Sequence, residues 1–184
     1  MNKKVSAIVA ELGDREAIRD CIYRYCRGID RMDRELLLSA YWPDGTDEHG
    51  NFTARSAQEF VGTALDILAG MEMTTHVMHN ILIDIQGDVA CVESYVQAFH
   101  KLRREDGSYY DHISSSRFLD RMERRDDEWR IKRRTVVRDW FREYADSADW
   151  KTGELGESLG YGRDKPLDTG RRKPEDLSYK VLAL

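Results

Sequence analysis

Thr74–Leu102 reads TTHVMHNILIDIQGDVACVESYVQAFHKL, and the architecture of the chain can be worked out from how this stretch is built. Its two runs are rich in β-branched and aromatic residues and meet at Gly87-Asp88, a turn-forming pair. That pattern predicts a hairpin of two long strands, Thr74–Ile85 and Val89–Leu102. Two further segments of the same texture follow, Tyr109–Met122 and Trp129–Trp140, with turn signals at Glu105-Asp106-Gly107 and Arg125-Asp126-Asp127. Each is long enough to bend around a core. A short strand around Thr46–His49 would add an edge.

Upstream the periodicity changes. Between Asp14 and Ile29 the apolar residues Ile18, Ile22, Tyr25, Cys26 and Ile29 recur at three- and four-residue steps, the pattern of one helix face, with Asp14 placed to cap it. Asp33 can cap a second, shorter helix through Leu37, Leu38 and Tyr41 that stops at Pro43 and Asp44-Gly45. Ser56 followed by Glu59 is a capping box, and Phe60, Ala64, Leu65 and Ile67 carry a third helix to Gly70. Three helices followed by a meander of long strands predict an α+β fold, the helices packed in the concave face of a strongly curved, mostly antiparallel sheet. Residues 1–143 form the expected domain. Residues 144–184 are Gly-rich and polar but end in an apolar segment, so an extended arm is expected, with Trp150, Tyr161, Tyr179, Val181 and Leu182 as anchors over the pocket or a second subunit.

The chain has 184 residues, and 29 Lys and Arg against 34 Asp and Glu give a net charge of −5. That balance argues against nucleic acid and anionic membrane as partners and favours a hydrophobic small molecule. No window reaches the roughly 18 apolar residues of a membrane span. The run Val5–Ala10 is shorter than the usual apolar stretch of a secretory signal, so a cytoplasmic location is expected. Cys21, Cys26 and Cys91 have no C-x-x-C spacing and read as small buried hydrophobes.

Several side chains have the chemistry for a site. Asp30 comes where the first helix ends, beside an apolar face, where a carboxylate can act as a base or orient an imidazole. Strand alternation puts His76, Met78, Asn80 and Leu82 on one side and His79 on the other, so one histidine can face a pocket and the two cannot easily share an ion. In the next strand Val92, Ser94, Val96, Ala98 and His100 share a face opposed by Cys91, Glu93, Tyr95, Gln97 and Phe99, and either set can line the pocket. Tyr110, His112, Ser114, Ser116 and Phe118 form one face of the third long strand. Val136, Arg138 and Trp140 share a side of the last, where an inward arginine would meet a carboxylate or oxyanion. The arginine-rich segment from Arg117 to Arg138, with Arg134 in it, is interleaved with Asp120, Glu123, Asp126, Asp127 and Glu128 and reads as a solvated outer face. Asp47-Glu48-His49 invites a metal, yet three neighbours cannot all point at one ion, and no metal is expected. Nucleotide-binding loops and hydrolase motifs are missing.

The residues Tyr25-Cys26-Arg27-Gly28-Ile29-Asp30, Tyr41-Trp42-Pro43-Asp44-Gly45, Thr75-His76 with Asn80, and Glu128-Trp129-Arg130-Ile131 ahead of Arg138 together resemble the SnoaL-like family of the nuclear transport factor 2 superfamily. The resemblance spans roughly residues 12–142. It implies a cone-shaped α+β barrel with an apolar cavity, assembled as a homodimer or homotrimer. Scytalone dehydratase, bile-acid dehydratase and hexachlorocyclohexane dehydrochlorinase, of this superfamily, use an Asp–His pair without a cofactor, and Asp30 and His76 fall at those positions. By that resemblance His76 is the base and Asp30 its orienting partner. Tyr25 and Arg138 match substrate contacts of the bile-acid dehydratase, and His100 matches a second histidine of scytalone dehydratase. Tyr41, Asn80 and Trp140 join them as expected substrate contacts.

What the resemblance implies is a cofactor-free lyase that eliminates water from a hydrophobic aromatic or polycyclic alcohol. Relatives leave alternatives open: a formaldehyde-releasing diarylpropane lyase, a double-bond isomerase, or a non-catalytic dioxygenase small subunit or ligand-binding module.

Overall fold

The computed structural model describes residues 3–146, 148 and 169–182. Helices α1 (Lys3–Asp30) and α2 (Arg34–Ser39) come first, then strands β1 (Tyr41–Glu48) and β2 (Thr53–Ala54), then helix α3 (Ala57–Ala69). Four long strands follow, β3 (Met73–Gln86), β4 (Val89–Arg103), β5 (Tyr109–Arg125) and β6 (Glu128–Ala145), and then a short helix α4 (Ser178–Val181). No helix among the described residues is long and apolar enough to cross a membrane.

The six strands form one sheet in the order β2-β1-β6-β5-β4-β3, antiparallel except where β1 runs parallel to β6. The sheet curls without closing, so β2 and β3 are its edges. Ile18, Ile22 and Tyr25 of α1 and Phe60 of α3 fill the concavity against Trp129 and Ile131, all buried.

Helix α1 begins well before Asp14, which therefore caps nothing. Ala7, Ala10, Glu11 and Leu12 favour helix and carry it upstream. The Asp14 carboxylate instead accepts the Trp129 indole N–H at 2.8 Å and an Arg124 N–H at 3.2 Å, tying the helix to the β5–β6 hairpin. At the other end Asp33 accepts the Leu36 N–H and caps α2 as expected. Tyr41 opens β1 rather than closing α2, because Pro43 and Gly45 sit in an irregular stretch of that strand between its two contacts with β6. Ser56 caps α3 by accepting the Glu59 N–H.

Gly28 lets α1 and α2 approach. A Cβ there would lie 2.7 Å from the Leu37 backbone nitrogen and 2.8 Å from its Cα, and no flexible side chain is available to yield. Gly28→Ala should therefore destabilise the fold by about 1–3 kcal/mol, the cost of overpacking, read as a lower urea midpoint.

Three β-bulges set which residues face inward. One extra residue lies between Met78 and Ile81 of β3, opposite Val96 and Ser94. Two lie in β6, one between Ile131 and Arg133 and one between Arg138 and Trp140. Each reverses the alternation beyond it. Past the first, Ile81, Ile83 and Ile85 turn inward, while Leu82 is exposed. In β6 the inward set becomes Trp129, Ile131, Arg134, Val136 and Arg138. Arg134 is thus buried, against the expectation of a solvated residue. The surrounding arginines do pair on the surface, Arg117 with Glu93 and Asp139, Arg125 with Asp44 and Glu123, Arg133 with Glu48.

The described part of the arm, residues 169–182, packs on the ends of α1 and α3. Arg172 donates to the carbonyls of Leu68 and Met71, Arg31 pairs with Asp176, and Asp33 accepts from Lys173 and from the Tyr179 hydroxyl. Burial works against the Asp33 charge, but those bonds and the Leu36 N–H outweigh it and hold the carboxyl below its usual value. Of the expected anchors, Tyr179 makes such a contact, Val181 and Leu182 stay exposed, and Trp150 and Tyr161 lie outside the described residues.

Candidate active site

Inside the curl lies a cavity of about 620 Å³. Its sheet wall can be read as a grid from the strand register. Thr74, His100, His112 and Glu143 form one row across β3, β4, β5 and β6; His76, Ala98, Ser114 and Phe141 the next; Met78, Val96, Ser116 and Arg138 the third; Ile81, Ser94, Phe118 and Val136 the fourth. The β4 face that lines the cavity is therefore the one carrying Val96, Ala98 and His100, and the β5 face is that of Tyr110 to Phe118. Ile29 of α1, with Ala64, Ile67 and Leu68 of α3, covers the wall with apolar groups.

Asp30 ends α1 and points its carboxylate at β3. One oxygen accepts the His76 backbone N–H at 2.8 Å and the other meets His76 Nδ1 at 2.7 Å. Both side chains are almost fully buried, at 9% and 8% exposure, so solvent does little to dilute the contact. An ionised carboxylate only accepts, so Nδ1 carries the hydrogen and Nε2 keeps its lone pair. The arrangement leaves a base at the cavity wall.

His100 packs beside it, ring centroids 5.8 Å apart, and His112 continues the line at 6.0 Å. Burial, then the neighbouring His76, His112 and Arg138, push the His100 imidazole down to about 3, so it is neutral and shares a hydrogen bond of 2.8 Å with the Thr74 hydroxyl. His112 is lowered too, by burial and Arg138, against the pull of Glu143. Between pH 6.5 and about 3 the unfolded chain protonates His100 and the folded chain does not, so stability should fall as pH drops through that window. His100→Gln should flatten that slope in urea unfolding series run at successive pH values.

Not every expected contact reaches the cavity. Arg138 lines it, as does His100. Asn80 lies in the β3 bulge and is exposed, and Trp140 is turned out by the bulge after Arg138, 44% exposed. Tyr25 is fully buried beneath the cavity, with the Arg134 guanidinium 4.2 Å above its ring. Tyr41 is buried as well and donates its hydroxyl to Asp47 at 2.6 Å. Cys21 and Cys26 are buried, and burial raises their thiols to about 11 and about 12, which leaves them without nucleophilic thiolate.

Two features noticed in the sequence have a different place from the one expected. His49 lines the cavity, with its Nδ1 3.0 Å from Asp47. Beneath the floor Arg134 donates twice to Asp120, both bonds 2.7 Å, with neither side chain exposed. Among the described residues no group of three His, Cys, Asp or Glu side chains is arranged to hold a metal.

Comparison with known proteins agrees with this architecture. The model of the SnoaL-like domain matches residues 10–135. Among solved structures, a type 2 hexachlorocyclohexane dehydrochlorinase LinA superposes with a TM-score of 0.69 at 21% identity, over 76% of this chain and 94% of that one. A provisionally named scytalone dehydratase from Novosphingobium aromaticivorans gives 0.65 at 26% identity, over 75% and 92%. A protein of unknown function from Mycobacterium tuberculosis gives 0.61 at 23%, over 72% and 75%. No curated protein matches the chain.

Proposed function

The chain belongs to the SnoaL-like domain family, and we propose on that premise that it is a cofactor-independent lyase using Asp30 and His76 to eliminate water from a hydrophobic aromatic or polycyclic alcohol. The observation that carries the reading is the buried Asp30–His76 contact of 2.7 Å on the wall of a cavity whose helical side is apolar.

In this scheme the Nε2 lone pair of His76 takes a proton from a substrate carbon next to an activating group. Asp30 keeps the ring in the useful tautomer and compensates its charge once it is protonated. Burial of the pair keeps that compensation strong. The apolar covering from α1 and α3 suits a ring system, and Arg138 with Ser114 and Ser116 offers polar contacts at its edge. A ligand-binding module has no need of a base held in one tautomer, which favours the enzyme.

The test is a screen of aromatic and steroid-like alcohols against the wild type and His76→Ala, with products identified by mass. Loss of water only with intact His76 supports the proposal. An unchanged mass with a moved double bond makes the protein an isomerase, and release of formaldehyde makes it a carbon–carbon lyase. Equal turnover by both proteins removes His76 from the mechanism.

A further inference from the structure

The cavity has a second carboxylate–imidazole pair. Alternation along β1 places Asp47 and His49 on the inner face, while Glu48 turns outward to Arg133 and Thr135. Asp47 is fully buried; one oxygen accepts the Tyr41 hydroxyl at 2.6 Å and the other meets His49 Nδ1 at 3.0 Å. Buried carboxylates are costly unless their oxygens are bonded, and here the two bonds come from a tyrosine and an imidazole.

With Nδ1 donating to Asp47, His49 keeps Nε2 at the far end of a ring that stacks on Phe52, centroids 5.4 Å apart, and lines the cavity. Nε2 has no partner among the described residues. The main chain already secures this turn, through the His49 N–H to the Phe52 carbonyl and the Asn51 N–H to the His49 carbonyl. An anchoring role for the imidazole would duplicate what the backbone does. Strands β1 and β3 stand four places apart in the curled sheet, so His49 and His76 border the same space from opposite walls.

We infer that His49 is a second catalytic group, the acid that protonates the leaving oxygen, with Asp47 and Tyr41 as positioning residues. The inference rests on the elimination proposed above. His76 Nε2 takes the proton from carbon, the C–H electron pair becomes the new C=C π bond, and the C–O bond breaks with its electrons going to oxygen. In this step His49 starts as the imidazolium, with Nδ1–H on Asp47 and Nε2–H toward the cavity; the departing oxygen takes the Nε2 proton and leaves as water, and His49 is left neutral with its hydrogen on Nδ1. One ring ends the cycle protonated and the other neutral, and solvent returns the proton between turnovers.

Two experiments on the full chain decide it. In the first, ¹⁵N-histidine spectra are recorded while naphthol, a hydroxylated aromatic probe, is titrated in. Movement of both the His49 and His76 Nε2 resonances is expected; movement of His76 alone overturns the inference and leaves the elimination reading standing. Failure of naphthol to bind overturns both. In the second, turnover of a β-hydroxy naphthyl ketone is compared with that of its β-chloro counterpart, since chloride leaves without a proton. His49→Gln should slow the hydroxy compound by about 10²–10⁴-fold, the usual worth of a general acid, and the chloro compound only about threefold. Asp47→Asn should show the same selectivity, and His76→Gln should slow both. Equal losses on the two ketones with His49→Gln mean a structural histidine and overturn the inference. A wild type inert toward both ketones overturns the elimination reading and the inference with it.

Discussion

Turnover should fall by about 10²–10⁴-fold in His76→Ala, with kcat carrying the loss and KM little changed, because a general base contributes in the transition state and adds little to ground-state binding. The variant should stay folded. Asp30 still accepts the His76 backbone N–H after truncation, so the carboxylate keeps one of its two bonds. Asp30→Asn makes a sharper comparison. Its amide preserves shape and can still accept the backbone N–H, yet an amide nitrogen facing Nδ1 favours the tautomer with the hydrogen on Nε2, which is the wrong one for a base. The expected result is a comparable fall in kcat with an unchanged melting temperature and an intact circular dichroism spectrum. Stopped or steady-state kinetics on the substrate found by screening, run beside thermal unfolding, separates this from a folding defect. Retention of full kcat in either variant would falsify the assignment.

Much of the fold was legible because its signals are local. Turn pairs at Gly87-Asp88 and Asp106-Gly107 and the caps Asp33 and Ser56 act within a few residues, and each stands where the chemistry of turns and caps puts it. Facing is different. Alternation holds only while the ladder is regular, and a bulge is decided by the partner strand as much as by the bulged one. One insertion in β3 and two in β6 account for the exposure of Asn80, Trp140 facing out and Arg134 facing in. Strand alternation said only that one of His76 and His79 can face the pocket; His76 precedes the β3 bulge and pairs regularly with Ala98, whereas His79 falls in the bulge between Met78 and Ile81. The Asp30–His76 contact itself came from resemblance, since no local rule brings residues 46 positions apart to 2.7 Å. Asp47-Glu48-His49 stood out in the sequence as a triplet that could not share one ion, but the contacts of Asp47 with Tyr41 and His49 and the place of His49 on the cavity depend on the tertiary arrangement.

Arg134→Met should strongly destabilise the core. Arg134 and Asp120 are wholly buried and joined by two parallel N–H to oxygen bonds of 2.7 Å. Burial works against the Arg134 charge, but Asp120 outweighs it and keeps the guanidinium firmly protonated. Its plane also lies 4.2 Å from the Tyr25 ring centroid and 3.9 Å from that of Phe118, so its stem and face fill space as well as carrying charge. Methionine refills part of that volume and leaves the Asp120 carboxylate without its cation. Breaking a buried pair from one side costs about 3–5 kcal/mol, which here should appear as a large drop in the urea midpoint. Removing both charges tests the cause. If the stranded carboxylate is responsible, Asp120→Leu with Arg134→Met should recover most of the loss, because an apolar pair of similar volume costs little in a core. If the double variant is as unstable as the single one, the role of Arg134 is packing against the two aromatic rings. Phe118 also lines the cavity, so either outcome says how firmly the floor beneath the substrate is held.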